Sequence, residues 1–282
     1  MLNIIERIQK NEHHLSATHR KIGNYILAQY SSVAFCTLSD LAEKIGVSTT
    51  SIIRFSREIG YSGYSEMQGD IQKNVIEKVA LPKRFKTHPV KGNHKFISTL
   101  QNDISNLEQT IKIMPAETLE TVVQAILSAD TVYIIGLRTS FSLAHLFSIM
   151  LGQIRCNVRL IQGVGDTFPE EIMNIRPGDL CIGFVFPRYF STTINVLKAV
   201  RNAGAAVAII SNQSFLPVKQ YADYILPCYI DGIAYKDSFV APLSLINYLT
   251  MEVAARERVT SYENLQKVER LFNEISYFGR SR

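Results

Sequence analysis

Beyond residue 130 the sequence alternates short apolar segments, rich in β-branched residues, with segments long enough to form helices. The short segments are TVYIIG (131–136), NVRLI (157–161), DLCIGFVF (179–186), AAVAIIS (205–211) and YILPCYI (224–230). Parallel strands need crossover connections of about a dozen residues or more, and helices in those connections cover both faces of the sheet. The pattern therefore predicts an α/β domain built on a parallel sheet.

Helical spacing dominates the rest of the chain. Residues 96–114 and 116–128 are predicted to form two helices separated by Pro115, which suits the first turn of the second helix. Long helices are expected around residues 239–258 and 262–275. The first 80 residues show helical spacing almost without β-type alternation, and Ser16 is suited to cap a helix, so the chain is predicted to open with an all-helical bundle.

A basic segment separates the two regions. Residues 81–95, LPKRFKTHPVKGNHK, contain two prolines, a glycine and many basic residues, with no apolar repeat. Such a composition is typical of a linker. We therefore predict a helical domain over residues 1–80, a linker over 81–95 and the α/β domain over 96–282.

The positive charge is confined to the first third of the chain. Residues 1–95 carry 14 Lys and Arg against 8 Asp and Glu, a net charge of +6, whereas residues 96–282 carry 16 against 17, a net charge of −1. A small basic domain suits a partner with a phosphate backbone. A solvated basic surface explains the charge alone equally well, so other features have to decide.

Composition argues against several protein classes. No apolar run reaches the ~18 residues that a membrane-spanning helix needs, so we expect a soluble, cytoplasmic chain. The four cysteines, Cys36, Cys156, Cys181 and Cys228, form no CxxC pair and have no histidine at metal-ligand spacing. We therefore expect reduced, mostly buried thiols, and neither a metal site nor a cofactor.

Residues 38–57, LSDLAEKIGVSTTSIIRFSR, match the positional demands of a two-helix corner. Leu41, Ala42 and Ile45 share one face of a first helix, and the small Ala42 lets a second helix approach closely. Gly46 supplies the turn, because glycine adopts a positive φ at little cost. The segment therefore predicts a helix-turn-helix.

The second helix of this corner keeps one face free. Ser48 is placed to cap the helix, while Ile52 and Phe55 return to the core. Hydroxyls at the free face can reach phosphates or base edges in a major groove, and arginine can read guanine. A helical hairpin without a DNA-binding role is the alternative. The predicted DNA-binding residues are Ser48, Thr49, Thr50, Ile53, Arg54 and Arg57.

Tyr61 and Tyr64 follow this helix. Each is a candidate for a hydrogen bond to a phosphate. We favour the interpretation that their rings pack at the edge of the helical domain.

Several stretches together resemble the RpiR family of bacterial transcription regulators, which join a helix-turn-helix to a sugar isomerase (SIS) domain. They are LSATHRKIGNYIL (15–27), LAEKIGVSTTSIIRFSREIGYSGY (41–64) and the α/β order after residue 130. The resemblance implies a flavodoxin-like sheet of five parallel strands and oligomers held through both domains. It also implies an effector that is a phosphosugar or a related compound.

In SIS domains the effector phosphate lies where a strand turns into a helix, and helix N-termini favour anions because their first amides lack intrahelical partners. The first such turn here is 136–140. Thr139 and Ser140 match hydroxyl positions of the family, and Arg138 replaces a common glycine. Arg138 therefore either adds a contact to an anion or obstructs the loop.

The second such turn is 186–193. Family members commonly carry the pattern SxSGxT here, but Val185, Pro187 and Phe190 occupy its hydroxyl positions. The candidate effector contacts that remain in this turn are Arg188, Ser191, Thr192 and Thr193.

These features predict a regulator that binds a double-stranded DNA operator as a homodimer or homotetramer and senses a small anionic metabolite. A phosphosugar is favoured, and an acidic metabolite without phosphate is the rival. Two other functions stay open. One is an isomerase-like enzyme, with Glu170, Glu171 and His145 as candidate proton carriers. The other is a DNA-binding scaffold whose SIS domain binds no ligand.

Three further positions carry weaker expectations. His145 is expected to be a buried packing residue. Asp166, in the turn GVGD, is expected to lie in a surface loop, with hydrogen bonding to a polyol as the alternative. Residues 235–237, before the long helix, are candidates to close over a ligand.

Overall fold

The structure, a computed structural model, describes residues 3–34, 36–78, 81–87, 95–212 and 219–275. These residues form two compact units, one within residues 3–87 and the other within residues 95–275. The division between the units lies in the segment predicted as a linker.

The first unit is all-helical, as predicted. Its core contains the fully buried side chains of Ile22, Ile26, Leu41, Ile52 and Phe55. The hydroxyl of Ser16 caps the second helix by accepting a hydrogen bond from the backbone N of His19 at 3.2 Å. The helices are α1 (Ile4–Asn11), α2 (Ala17–Ala28), α3 (Tyr30–Val33), α4 (Leu38–Ile45), α5 (Thr49–Glu58), α6 (Tyr64–Lys78) and α7 (Leu81–Thr87).

Helix α7 occupies the start of the predicted linker. It buries no residue, which is why no apolar repeat announced it in the sequence. The rest of the predicted linker up to residue 94 lies outside the described residues. Lys95, its last predicted residue, is the first residue of the next helix.

The second unit follows the predicted order of strands and helices. The elements are α8 (Lys95–Ile113), α9 (Ala116–Ser128), β1 (Val132–Gly136), α10 (Ser140–Ile154), β2 (Val158–Ile161), α11 (Phe168–Ile172), β3 (Leu180–Val185), α12 (Ser191–Asn202), β4 (Ala206–Ser211), β5 (Tyr224–Pro227), α13 (Val240–Arg256) and α14 (Arg258–Glu274). Two short 3₁₀ helices, Val164–Asp166 and Lys219–Tyr221, lie in the connections. Within the described residues, no helix combines the length and apolar character needed to cross a membrane.

The five strands form one parallel sheet in the order β2-β1-β3-β4-β5, so the predicted fold class is confirmed. Strand β1 lies at the centre, with Ile134 opposite Leu160 of β2 and Ile182 of β3. Strand β5 ends at Pro227, three residues before the predicted end at residue 230. Residues 228–230 are buried or nearly so without pairing in the sheet, so their apolar character suggested too long a strand.

Helices cover both faces of the sheet. Val132 and Ile134 of β1 share a core with apolar residues of α9, α10 and α13. On β3, a Cβ at Gly183 would lie 3.0 Å from Leu197 of α12. Since Gly183 and Ile182 are adjacent and point to opposite faces, α12 covers the face that α10 and α13 leave open.

Helix α8 is joined by side-chain hydrogen bonds to the segment that follows β5. The side-chain amide of Asn106 donates to the backbone O of Asp231 at 2.7 Å, and the backbone N of Asp231 donates to Asn106 Oδ1 at 3.1 Å. One turn further along α8, Thr110 accepts from the backbone N of Tyr229 at 2.8 Å. Asn106 and Thr110 are buried, so these bonds fix the position of α8 along the segment.

The cysteines are free thiols, and Cys36, Cys181 and Cys228 are buried. Burial raises the pKa of Cys181 and of Cys228 to about 12. Cys156 is exposed, contrary to the general expectation of burial.

The end of β1 requires glycine. A Cβ at Gly136 would lie 2.4 Å from the backbone O of Ser140, because the strand turns directly into α10. We expect Gly136→Ala to destabilise the second unit by about 1–3 kcal/mol, since the clash is with backbone and the turn has to shift. Urea unfolding followed by circular dichroism measures the change.

Gly152 is the matched control. It is exposed on α10, and a Cβ there would meet no atom within 4 Å. Gly152→Ala should raise stability by about 0.5–1 kcal/mol because alanine favours the helix. Equal effects of the two substitutions would contradict the close approach at Gly136.

Candidate functional site

The two-helix corner of the first unit is formed by α4 and α5. Helix α4 begins with a capping box in which Thr37 Oγ1 accepts from the backbone N of Asp40 at 3.1 Å and Asp40 accepts from the backbone N of Thr37 at 3.3 Å. It ends at Gly46, whose φ of 69° lies in the left-handed region as predicted. Because glycine has no Cβ, the chain turns sharply there into the next helix.

Helix α5 is capped and anchored as the sequence predicts. Ser48 Oγ accepts from the backbone N of Ser51 at 3.1 Å. Ile52 and Phe55 are fully buried, and Val47 packs partly against the same core. The outward face of α5 is thereby fixed in orientation.

The predicted DNA-binding residues divide into two groups on this face. Thr49, Thr50 and Arg54 are exposed. Arg57 is also exposed, but its Nε donates to the backbone O of Ser62 at 3.3 Å. Ile53 is half-buried and packs partly against the core, so it offers less surface than the helical spacing suggested.

Tyr61 and Tyr64 point inward, in agreement with the packing interpretation. The Tyr61 hydroxyl donates to Asp70 at 2.6 Å, and the Tyr64 hydroxyl donates to the backbone O of Cys36 at 2.7 Å. Burial raises the pKa of both hydroxyls, and the Asp70 carboxylate raises that of Tyr61 further. These hydroxyls already have partners, which argues against phosphate contacts.

In the second unit, the order of the strands reverses between β1 and β3. Strand β2 lies on one side of β1, whereas β3, β4 and β5 follow on the other. The helices that leave the carboxyl ends of β1 and β3 therefore diverge to opposite faces, and a crevice opens between the two turns. The two predicted effector turns, 136–140 and 186–193, border this crevice.

The first turn presents an arginine and a threonine. Arg138 and Thr139 are exposed, and Arg138 has a φ of 55°. Thr139 precedes α10 without forming a side-chain cap. Ser140, the first residue of α10, is only 7% exposed, so its hydroxyl is less accessible than that of Thr139.

The second turn presents an arginine and two hydroxyls. Arg188, Ser191 and Thr192 are exposed, and Arg188 has a φ of 87°. Thr193 is buried, with 3% exposure, so of the predicted contacts in this turn it is the least accessible to a ligand. Ser191 and Thr192 open α12, where backbone amides lack intrahelical acceptors.

The two turns contact each other across the crevice. The guanidinium carbon of Arg138 lies 5.7 Å from the ring centroid of Phe190, in a cation–π arrangement. Beside Phe190, the Tyr189 hydroxyl lies 3.1 Å from Asn212 Oδ1, at the end of β4. Burial raises the pKa of Tyr189 to about 12, so the hydroxyl stays protonated and able to donate.

Comparison with known proteins gives the same division of the chain. Residues 2–78 match the profile of a helix-turn-helix domain of the rpiR family, and residues 125–252 match the profile of an SIS domain. The chain is 25% identical over 281 residues to the HTH-type transcriptional regulator HexR of Pseudomonas aeruginosa, with 95% of each chain covered. The chain belongs to the RpiR family of transcriptional regulators.

Solved structures show the fold of such regulators. The sugar isomerase domain of the RpiR transcription factor from Sphaerobacter thermophilus is 29% identical, with a TM-score of 0.59 over 62% of this chain and 97% of that chain. The Vibrio vulnificus NanR protein, solved in complex with ManNAc-6P, has a TM-score of 0.68 over 97% of this chain and 99% of that chain. At 18% identity, NanR supports the fold alone.

The weaker candidates of this RpiR-family chain have mixed outcomes. His145 is exposed and stacks on Phe141, with 5.7 Å between ring centroids, so the prediction that it is buried is wrong. Its place on α10 gave no signal of exposure because its neighbours Ala144 and Phe147 are buried. Asp166 is exposed, with a φ of 62° in a 3₁₀ turn, in agreement with a surface loop.

Glu171 has a structural role. Its carboxylate accepts from the backbone N of Gln162 at 2.6 Å and of Gly163 at 2.9 Å, and Thr167 lies 3.1 Å from it. These bonds hold the connection between β2 and α11. A carboxylate held in this way has little freedom to carry protons for a substrate.

The segment before α13 adjoins the second turn. Phe239 packs on Phe186 with 5.3 Å between ring centroids, and the Asp237 carboxylate contributes to the raised pKa of Tyr189. Sequence analysis named residues 235–237 as a possible closure but missed Phe239, Tyr189 and Asn212. Their apolar or amide character gave no sign of a shared location.

The Ser48 cap can be tested separately from any contact with DNA. We expect Ser48→Ala to destabilise α5 by about 1 kcal/mol, because the backbone N of Ser51 loses its acceptor. Faster amide hydrogen exchange over residues 49–53 reports the loss. Ser48→Asn is the control, since asparagine caps equally well. An unchanged exchange rate in Ser48→Ala would remove the cap from the account.

Proposed function

We propose that this regulator binds a double-stranded operator through α5 and senses a small anionic metabolite, probably of neither metal nor cofactor dependence, in the crevice between the turns 136–140 and 186–193. The observation that carries the proposal is the placement of both arginine-bearing turns at the point where the strand order reverses. In open α/β sheets ligands bind at such points. A phosphosugar is the favoured class, supported by the ManNAc-6P complex of the similarly folded NanR.

The operator would be read by the exposed end of α5. Thr49 and Thr50 offer hydroxyls to phosphates or base edges, and Arg54 offers a guanidinium to a guanine. The net charge of +6 over residues 1–95 adds attraction to the DNA backbone. Ile53, being half-buried, contributes a smaller apolar contact.

The effector would be held by polar groups of both turns. Ser191 and Thr192 lie at the start of α12, where unpaired amides and the helix dipole favour an anion. Arg138 and Arg188 supply positive charge, and Thr139 adds a hydroxyl at the start of α10. Ser140 and Thr193, which are buried, would act on the ligand through the shape of the turns.

Helix α8 is suited to carry the signal from the crevice toward the linker. Its Asn106 and Thr110 are bonded to residues 229–231, and its Asp103 accepts from the Ser238 hydroxyl at 2.5 Å. Phe239, next to Ser238, packs on Phe186 of the second turn. Movement of that turn on ligand binding would therefore be felt by α8, and through the linker by the paired DNA-binding units of a cytoplasmic homodimer or homotetramer.

Catalysis is not part of the proposed function. Glu171 is engaged by backbone amides, and His145 lies on the surface of α10, stacked on Phe141. The named relatives are transcriptional regulators. An isomerase would need a carboxylate or histidine placed to move a proton between adjacent carbons.

A scaffold without ligand is the second candidate. It is favoured by Val185, Pro187 and Phe190, which stand at the hydroxyl positions of the SxSGxT pattern. Val185 is 2% exposed, so it presents no surface to a ligand. Ligand binding, tested below, separates the two functions.

Operator binding should depend on Arg54. Arg54→Ala is expected to weaken binding to duplexes from the gene's own promoter region by about 1–3 kcal/mol, roughly 5- to 150-fold, because a guanine contact is lost. Fluorescence anisotropy at several salt concentrations measures it. Arg176→Ala, which removes an exposed arginine of the second unit, should leave binding unchanged. Equal affinity of Arg54→Ala and the wild type would exclude Arg54 from the interface.

Ligand binding should depend on the start of α12. A sugar phosphate at a hundredfold excess over its dissociation constant should stabilise the wild type by ~2.7 kcal/mol in thermal unfolding. The double variant Ser191→Ala, Thr192→Ala should lose most of this shift and keep operator binding. Thr121→Ala, on α9, is the control, since its hydroxyl bonds only within its own helix. If no sugar phosphate or other acidic metabolite shifts unfolding, the scaffold replaces the sensor.

A further inference from the structure

The two turns beside the crevice each carry an arginine in a backbone conformation that arginine seldom adopts. Arg138 has a φ of 55° and Arg188 a φ of 87°. The left-handed region is costly for residues with a Cβ, and it persists where the surrounding structure imposes it. The turns therefore hold both arginines at positions that glycine would occupy with less strain.

Both arginines lack a carboxylate partner in the part of the chain that the structure describes. No ion pair there includes Arg138 or Arg188. The turns 136–140 and 186–193 themselves contain no Asp or Glu. Arg138 instead rests over the ring of Phe190, and Arg188 is exposed. The crevice is therefore bordered by two positive charges that the protein does not neutralise.

The charge of the crevice exceeds that of a single phosphate. Each helix N-terminus contributes about half a positive charge, so α10, α12 and the two arginines together supply about +3. A phosphate monoester carries about −1.5 to −2 at neutral pH. A phosphate alone thus leaves about one positive charge unmatched, and one carboxylate would balance it.

We propose that the effector carries two acidic groups, a phosphate and a carboxylate, as in a phosphorylated sugar acid. This inference rests on the proposed sensing function and specifies its ligand class. The phosphate binds at the start of α12, where Ser191, Thr192 and Arg188 meet it. The carboxylate binds the planar fork of Arg138, which lies between the turns and can form two parallel hydrogen bonds to it.

A matched pair of open-chain ligands tests the carboxylate. Gluconate 6-phosphate and glucitol 6-phosphate differ only in a carboxylate against a hydroxymethyl group at carbon 1, and calorimetric titration of the full-length protein gives both affinities. We expect the wild type to bind gluconate 6-phosphate about tenfold tighter or more, the value of a charge-assisted bidentate contact. The same comparison with the mannose-derived pair covers a second sugar configuration.

Variants of Arg138 assign the preference to its side chain. Arg138→Gly suits the positive φ and removes the guanidinium, so it should fold and should reduce the preference to about twofold or less. It should leave glucitol 6-phosphate binding nearly unchanged. Arg138→Lys keeps the charge without the fork and should retain an intermediate preference. Arg176→Gly, away from the crevice, is the control and should keep the full preference.

The outcomes separate this inference from the sensing function. Equal binding of the acid and the alcohol by the wild type overturns the two-acid effector but keeps a phosphosugar sensor. Equal loss of both ligands in Arg138→Gly also overturns it, because Arg138 would then serve the phosphate or the fold. If none of the phosphorylated compounds binds, the sensing function itself fails.

Discussion

The reversal of strand order at β1 is the constraint on which the second unit depends. Right-handed crossovers place consecutive helices on opposite faces only when the chain changes direction across the sheet. Here the change lies between β1 and β3, so α10 and α12 diverge and their first turns border a common crevice. The arginines, the exposed hydroxyls and the contact between Arg138 and Phe190 have their location because of that one topological choice.

The parts of the structure that sequence could predict are those set by local chemistry. Ser16 and Ser48 cap helices, Gly46 turns in the left-handed region, and the β-branched segments pair as parallel strands, because each outcome depends on a few neighbouring residues. The family resemblance then indicated which two strand ends carry the candidate site. Periodicity was sufficient for the element order but not for the end of β5, where burial continues beyond the last strand pairing.

The parts that sequence could not predict depend on contacts between distant segments. Tyr189 and Asn212 are 23 positions apart, and nothing in either residue type signals their hydrogen bond. His145 has a helical position beside buried residues, yet it is exposed and stacks on Phe141. Helix α7 has no buried face, so its residues resemble a linker. In each case the tertiary environment decides, and a single sequence does not contain it in readable form.

The two edges of the sheet bear on how copies of the chain can associate. Strands β2 and β5 are four residues long, β2 exposes Arg159, and β5 ends in Pro227, which has no backbone N–H. Short edges that carry a charge or a proline are poor templates for a further strand. Growth of the sheet from molecule to molecule, a common route to aggregation, is therefore blocked at both sides, and assembly of this regulator has to use its helical surfaces.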